Sequence, residues 1–598
     1  MTNYGPQLRK LIVGLDFGTT HTGISYAWSD DDEVMAVDKW PTANGALKTA
    51  QKNPTLIAYL PGIDSMPWGY QIGAQSNICA WMKYHLDKNY PSTKYDDPGL
   101  TEAISTGLFS VERTKTPDEV TIDYLKEVFK FAVRHLTESV GALGSALLDV
   151  TTIQWWLAKP AIWGNQAQLR LQKIVRTAAD HAEFFRPEDE FNFVTEADAA
   201  AFTLLRQAAA DDDLNAGDTV MICDCGGGTV DVAVYMVSSI SPIKVKEVVS
   251  GEGGKCGSSC IDLQFDKFML ERFGKAYENL DPSEKKFGSV FMKKFETHKH
   301  AFGAGDDPPL FEMELFMDGV DTDVPDMEEW YDDRDGTVRL TRSDMDAIFR
   351  PTVERVMELI AAQHKAATRS KRASKVNRLM LAGGFARSQY LQSRVKEWCS
   401  QNNIEATFLS NDDSWGAVAC GAVLGGLERI DIETRLSRFH CGILCDLIYR
   451  ADLDAKHSDK MYRCNLTGRM FVSNCVDWYS KKGDEVTEHS KKTASYYHRL
   501  SPRQKHFSAS IVCCGATHAP RHFSEDLVQI VGNLEVHLSA VELKKYEVQM
   551  FNSRERAIKF DYRIEETIGA SQGSLTYRAL TMEDQPLGHA QIHLPRVG

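Results

Sequence analysis

At 598 residues, with 43% apolar and 25% charged side chains, the chain is too long for a single hydrophobic core and has ordinary globular composition. Its net charge of −15 argues against a nucleic-acid-binding face as the main business. The thirteen cysteines are odd in number and lack CxxC spacing, and the opening MTNYGPQLRK has no apolar signal core. These features point to buried or incidental thiols in a reducing cytoplasmic or nuclear compartment, with no segment long enough to span a membrane.

In chain order, residues 11–15 read as a buried strand that ends at Asp16 and enters the turn Gly18-Thr19-Thr20. Residues 23–28 return from it and residues 34–40 add a third run, so residues 8–40 read as a β-meander; 53–60 is a further strand. A mixed, mostly helical stretch follows to about residue 115. Residues 116–140 predict a helix, with Thr116 as cap, Pro117 in the first turn and Asp118 and Glu119 at the positive end of the dipole. A strand over 151–158 ends at Lys159-Pro160, a helix covers 166–184, a short strand covers 191–195, and Glu196 opens a helix over 197–209. An acidic, turn-rich link, 210–218, leads into the second half.

The second half repeats the first. Residues 219–223, 231–237 and 243–249 form another meander, and Asp224 stands at the end of its first strand before Gly226-Gly227-Gly228-Thr229. Helical segments run from 260 to about 303, followed by an acidic, proline-containing loop, 305–325, that reads as solvated. Thr341 caps a helix over 342–350 that continues beyond Pro351 to about 367. A strand over 376–381 runs into Gly383-Gly384-Phe385-Ala386-Arg387, a helix covers 388–402, and 415–427 is a helix of small residues. From about 428 the texture changes to alternating runs, 506–512, 534–541, 545–551, 558–567 and 574–580, the signature of an antiparallel β unit and a small sandwich.

The two aspartate-bearing glycine turns suit one ligand chemistry. Glycine lets backbone N–H groups approach phosphate oxygens closely, threonine hydroxyls add donors, and a carboxylate at a strand tip can hold a divalent cation through its water shell. One such turn is equally a tight βα connection; two in equivalent places indicate a duplicated phosphate-binding fold.

The segments GLDFGTTHTG, VTEADAAAF, DCGGGTVDV and LAGGFARSQYL together resemble the nucleotide-binding domain of the 70-kilodalton heat-shock chaperones over about residues 10–428. PAIW (160–163) and GAVLGG (421–426) look most like the divergent branch typified by the 12A-type heat-shock proteins and their fungal relatives. The resemblance implies an α/β fold of actin-like ATPase type. It comprises duplicated ribonuclease H-like halves, lobe I over 8–215 with an insert at about 41–150 and lobe II over 216–428 with an insert at about 258–375. A β-sandwich-like, substrate-binding-like unit without a helical lid follows over 429–598. It further implies ATP or ADP with Mg²⁺, protein clients or co-chaperones as partners, and no nucleic acid. Asp16, Glu196 and Asp224 would hold the hydrated cation, and Asp231 would orient the attacking water. Gly18, Thr19, Thr20, Gly226, Gly227, Gly228 and Thr229 would cradle the phosphates. Gly383 and Gly384 would pass under the ribose and α-phosphate, Glu296 and Lys299 would reach ribose and adenine, and Arg387 would stack on the base. Read without the resemblance, Glu196 suits a helix start better than a catalytic role, and Lys299 equally suits a solvated helix face.

Three departures from the family pattern stand out. The family's catalytic lysine follows a GDxxK segment, and the local match, 69–73, has glycine at that place; Lys83 is near in sequence but has no assigned position. His300 stands where the family has an adenine-side arginine, and 428–440 is charged where an apolar linker is expected. A missing cation beside the γ-phosphate would leave binding intact and weaken transition-state stabilisation. Two readings follow: a slow ATPase that couples lobe closure to a protein-binding β unit, or a non-hydrolysing nucleotide-binding scaffold. A small-molecule kinase of the same fold is disfavoured by the β-rich tail. The segment at about 450–500 matches no part of the pattern.

Overall fold

The structure is a computed structural model that describes residues 9–60, 66–73, 78–87, 93–100, 103–104, 115–140, 144–163, 165–183, 186–285, 288–321, 323–373, 375–465, 467–487, 490–516, 518–524, 527–539, 543–550, 556–569 and 574–593. The chain divides into two compact units, Met1–Asp431 and Ile432–Gly598.

The first unit is α/β and is built twice on one plan. Strands β1 (Leu11–Phe17), β2 (His21–Trp28) and β3 (Met35–Ala36) form an antiparallel meander, and β4 (Ile153–Lys159) and β5 (Glu190–Thr195) add in parallel on the free side of β1, giving the order β5-β4-β1-β2-β3. The second sheet repeats this with β6 (Thr219–Cys225), β7 (Val230–Ile240), β8 (Ile243–Gly254), β9 (Arg378–Ala382) and β10 (Glu405–Phe408), in the order β10-β9-β6-β7-β8. All seven residues of β1 and of β6 are buried, which is why both read as apolar runs without alternation. Asp16 and Asp224 are each the last residue but one of their strands, so the repeated topology presents both carboxyl groups at equivalent strand tips.

Helices α1 (Pro117–Ser139), α2 (Glu196–Ala210), α3 (Ser259–Phe273), α4 (Val290–Ala301), α5 (Arg342–Arg369) and α6 (Asn411–Gly426) cover the sheets or reach the site. The cap on α1 is reciprocal: Thr116 Oγ1 accepts from the Glu119 N–H at 3.3 Å, and the Glu119 carboxylate accepts from the Thr116 N–H at 2.7 Å. Helix α5 runs unbroken through Pro351. Helices α2 and α6 meet at close range because both are made of small residues. A methyl group added at Gly421 would come 1.7 Å from the Ala199 carbonyl oxygen, and one at Gly14 of β1 would come 2.3 Å from that of Ala419. This contact sets the position of Glu196, the first residue of α2.

Three expectations are corrected. The run 34–40 is two short pieces, because Lys39–Pro41 turns away to pair with Leu47–Thr49 while only Met35–Ala36 stays on β2. The described residues of the segment before 115 contain 3₁₀ turns at Gly69–Gln71 and Met82–Leu86 and a strand at Ile78–Ala80 in place of longer helices. The acidic segment 305–325 is not simply solvated: Leu310–Glu314 pairs with Thr337–Thr341 and buries Phe311 and Met313 while Glu312 and Glu314 face out. High charge masked a period-two apolar pattern there.

The second unit has two antiparallel sheets. One takes the order Met461–Arg463, Met470–Ser480, His440–Ile448, His506–Cys514, Gln529–His537; the other takes Lys491–Leu500, Arg556–Gly569, Ser574–Thr581, Pro586–His593, with Val548–Met550 against Arg556–Gly569. Ile443, Ile511 and Leu534 of the first join Phe560, Ile564 and Tyr577 of the second in one buried apolar cluster. The segment at about 450–500, without a family counterpart in the sequence, supplies a strand to each sheet. Residues 540–541 and 551, parts of two expected strands, lie outside the described residues.

Replacing Gly421 by alanine forces α2 and α6 apart and is expected to cost about 1–3 kcal/mol of stability, read from urea unfolding of the full chain. A change below about 0.5 kcal/mol would show that the two helices separate freely.

Candidate functional site

The two strand tips face one another across a cleft of about 250 Å³. On one side stand Asp16 and the turn Gly18-Thr19-Thr20; on the other stand Asp224 and the turn Gly226-Gly227-Gly228-Thr229. The turns touch, and only glycine fits: a methyl group added at Gly227 would come 2.2 Å from Thr20 Oγ1, and one at Gly228 would come 2.1 Å from Thr19 Oγ1. The N-terminus of α3 ties down the second turn from behind. The N–H groups of Gly257, Ser258 and Ser259 donate to the carbonyls of Gly228, Gly226 and Gly227 at 3.2, 3.2 and 2.9 Å. Tyr84 links the halves by donating to the Gly228 carbonyl at 2.9 Å. Gly383, at φ +92°, passes directly beside the second strand tip; a methyl group there would come 2.6 Å from Asp224 Oδ1.

The expected gap in positive charge is filled, which corrects the reading of a missing lysine. Lys83 reaches the cleft from the turn Met82–Leu86 and pairs with Glu196, and Lys52 pairs with Asp16. All four groups are nearly excluded from solvent. Each lysine has a built path. The Lys52 stem crosses Gly23, the register partner of Asp16, where a side chain would come within 3.1 Å of it. The Lys83 ammonium lies 5.8 and 5.6 Å from the ring centres of Phe17 and Trp163. Neither lysine stands at the family spacing, so neither was legible from the motif. Gly23 was the available signal for Lys52.

At the far end of the cleft, Lys299 of α4 donates to Asp262 of α3 at 2.7 Å and to Glu296 at 3.2 Å, and His300 faces Glu296 at 3.2 Å. Arg387 lies over the Trp415 ring with its guanidinium carbon 5.0 Å from the centroid, and His21 meets the same ring edge-on at 5.1 Å. This corner offers a planar cation, an indole and paired charges, a chemistry suited to a purine nucleoside. Asp262 and Trp415 lie outside the motif segments, and His21 stands within the first of them without an assigned role.

The electrostatics are those of buried like charge. Burial, with the charges of Glu196, Asp16 and Asp231, holds the Asp224 carboxyl well above the ordinary carboxylate range. Burial also raises Glu196, against the pull of Lys83. Burial pushes the His21 imidazole down to about 3, so it is neutral at physiological pH. Lys299 is raised, because Asp262 and Glu296 outweigh the effect of burial. Asp224 Oδ1 is buried without a hydrogen-bond partner.

Asp16, Gly18, Thr19, Thr20, Glu196, Asp224, Gly226, Gly227, Gly228, Thr229, Glu296, Lys299, Gly383, Gly384 and Arg387 all line this cleft. Asp231 does not: it is buried directly opposite Asp224 in the β6–β7 register and is not among the lining residues.

The family described as Hsp70 protein matches residues 194–432, which include α2, the second glycine turn and the Gly383-Gly384 loop. Heat shock 70 kDa protein 12A of Homo sapiens is 22% identical over 506 residues, covering 72% of this chain and 72% of that protein, and the Mus musculus 12A protein is 22% identical with the same coverage. Heat shock 70 kDa protein 12B of Homo sapiens is 21% identical over 607 residues, covering 89% of this chain and 84% of that protein. These similarities support a divergent Hsp70-like protein of the 12A type. Its Hsp70 domain carries the actin-like ATPase fold, in agreement with the duplicated sheets, and supports nucleotide binding. Among the described residues no helix is long and apolar enough to cross a membrane.

The residues present fit a divalent cation. Three buried carboxyl groups, one with an oxygen lacking any partner, offer oxygen donors that a hydrated Mg²⁺ accepts. Because the folded Hsp70-like chain holds the Asp224 proton more tightly than the unfolded chain, this group's contribution to stability falls as pH rises from the ordinary carboxylate range toward its raised folded value. Asp224→Asn is therefore expected to raise the thermal unfolding midpoint by a few degrees at pH 8, to do less at pH 5, and to abolish stabilisation by added Mg²⁺ with ATP. An unchanged or lowered midpoint at pH 8 would show that the carboxyl is not under electrostatic strain.

Proposed function

We propose that this Hsp70-like chain is a slow Mg-ATP hydrolase of chaperone type. ATP would lie with its phosphates between the two glycine turns and its base at the Arg387–Trp415 corner. The observation that carries this reading is the facing set of buried charges: Asp16, Glu196 and Asp224, with Lys52 and Lys83 across the same cleft. Carboxylates this buried are costly unless a cation balances them. The ammonium groups that balance two of them carry the right charge for phosphate oxygens, so an exchange of ion-pair partners on binding Mg-ATP keeps the site neutral. Bound Mg²⁺ supplies charge neutralisation at the phosphates. The chain supplies the rest: glycine-turn amides and the hydroxyls of Thr19, Thr20 and Thr229 hold the phosphates, and Lys83 and Lys52 stabilise charge on them. Asp231, in register beside Asp224, adds negative charge that favours the bound cation over the free site. Positioning and electrostatics of this kind are sufficient for slow phosphoryl transfer to water.

The second unit is proposed to serve as a β-sandwich-like frame that binds segments of client proteins or co-chaperones and responds to the nucleotide state. The cysteine content suits a reducing cytoplasmic compartment.

One observation favours a second reading, a non-hydrolysing nucleotide-binding scaffold that regulates a partner protein. Both lysines are engaged by carboxylates, and Asp231 is off the cleft wall. ATP affinity and single-turnover hydrolysis with Mg²⁺ in wild type, Lys83→Met and Asp231→Asn separate the two. The ATPase reading expects wild-type turnover, retained ATP binding in Lys83→Met and a loss of turnover there of about 10²–10³-fold, with a smaller loss in Asp231→Asn. Tight binding with no wild-type turnover supports the scaffold, and absence of Mg-dependent ATP binding overturns both.

A further inference from the structure

The second unit contains a cluster of reactive side chains that nucleotide chemistry does not use. Cys475, on Met470–Ser480, has a neighbour on each side across the sheet: Cys445 of His440–Ile448 is its register partner on one side, and His522 bridges to it on the other. His522 Nδ1 lies 3.6 Å from Cys475 Sγ, and its Nε2 lies 2.9 Å from Asp454 Oδ1. Asp454 is fully buried and fixed: Arg521 donates to it from Nε at 2.8 Å and Nη2 at 3.2 Å, and the Arg450 N–H donates at 2.7 Å. With Nε2–H donating to the carboxylate, Nδ1 presents its lone pair to the thiol. His457 stacks on the His522 ring, centroids 3.7 Å apart, and limits its rotation.

Asp454, Cys475 and His522 also place ligand atoms close enough to share a metal ion. The hydrogen bonds argue against it. Both Asp454 oxygens are already taken by Arg521, Arg450 and His522, and the guanidinium fills the place of a cation. That leaves Sγ and Nδ1, two ligands where a stable site needs three or four. A thiol facing an imidazole that a buried carboxylate orients is the arrangement of a base-assisted nucleophile.

We propose that Cys475 and Cys445 form a redox-responsive thiol pair, in which a hydroperoxide oxidises Cys475 with His522 as base and Cys445 closes a cross-strand disulfide. In the first step Cys475 Sγ attacks one peroxide oxygen and the O–O bond breaks. His522 takes the thiol proton and returns it to the departing oxygen, so hydrogen peroxide yields Cys475 sulfenic acid and one water. In the second step Cys445 Sγ attacks the Cys475 sulfur, the S–O bond breaks, and the hydroxyl leaves as a second water with the Cys445 proton. Two thiols are oxidised by two electrons and the peroxide is reduced by two. Burial raises the Cys475 thiol and lowers the His522 imidazole, which keeps both neutral and makes proton transfer part of the attack.

The backbone permits the bond. Register partners of an antiparallel pair stand roughly 4.5–5.5 Å apart at Cα, within the range a disulfide spans. The ladder is already irregular here, with a register shift just beyond Cys445 and Asn474 at φ +57° beside Cys475, so local adjustment does not break an ordered ladder. Cys445 is partly exposed and His522 has 12% of its side chain open to solvent, which gives a small oxidant an approach. In a reducing compartment such a disulfide is transient and reversible by thiol exchange.

The test treats the full-length chain with hydrogen peroxide, quenches with an alkylating agent, and maps peptides without reduction. The expected product joins the peptides of Cys445 and Cys475 and forms faster than any link between Cys441 and Cys513, which are register partners across the adjacent pair of strands, His440–Ile448 and His506–Cys514, and serve as the internal control. His522→Gln, checked for folding by thermal unfolding, is expected to slow the link at least tenfold, and Cys445→Ser to leave a sulfenic acid that dimedone traps at Cys475. Failure of the link to form in the wild-type chain while other thiols oxidise would overturn the proposal. Equal rates at the two cysteine pairs, or an unchanged rate in His522→Gln, would do the same.

Discussion

A balance of buried charge at two strand tips decides what the first unit can be. Two like charges 4 Å apart repel by about 4 kcal/mol at an effective dielectric near 20, and Asp224 sits within reach of Asp16, Glu196 and Asp231 at once. A fold that gathers such groups needs compensating cations, and two arrive by unrelated routes. Lys52 crosses a glycine in the neighbouring strand, and Lys83 comes from a short 3₁₀ turn held between aromatic rings. Neither cation makes an ion pair with Asp224 among the described residues, and its Oδ1 remains buried without a hydrogen-bond partner. The site is thus stable enough to exist and incomplete enough to bind.

Duplication explains how so much charge converges without long loops. Each half places an aspartate one residue from the end of its central strand, and the glycine turn that follows leads directly into the next strand. Opposed across the cleft, the two turns touch through threonine hydroxyls on one side and glycine backbone on the other. The close crossing of α2 and α6, made possible by Gly421 and Ala199, then carries Glu196 to the same point. Large residues at either crossing would separate the halves and disperse the carboxylates, so the small-residue texture of 415–427 belongs to the site as much as to the core.

The parts of this arrangement legible in the sequence are those written locally. Strand–Asp–Gly turns, the Thr116 cap and the Gly383-Gly384 loop each carry their reason within a few neighbouring residues, and the structure shows each where local chemistry requires it. The lysines were hidden because their function depends on reach through space: Lys83 lies 113 positions from Glu196 and is invisible to any spacing rule that starts from a glycine motif. The strand Leu310–Glu314 was hidden for a different reason. Its two inward residues alternate with two acidic ones inside an acidic, proline-containing segment, so composition spoke louder than alternation. Asp231 shows the converse case, a motif residue whose carboxyl is buried in register with Asp224 and does not line the cleft.

The same distinction bears on the cysteines. Spacing along the chain gives Cys445, Cys475 and His522 no relation, since 47 positions separate the last two, and incidental thiols are the reasonable reading of the sequence. A β-sheet sets neighbours by register: Cys445 and Cys475 are partners on adjacent strands, and an isolated bridge brings His522 to Cys475 beside an Asp454 that Arg521 holds in place. A carboxylate held this firmly lowers the freedom of the imidazole it serves: His522 cannot swing away from the thiol without giving up a buried hydrogen bond. The result is a thiol with its base and its partner both prearranged by backbone pairing, which is a stronger constraint than a packed core alone would place on a histidine.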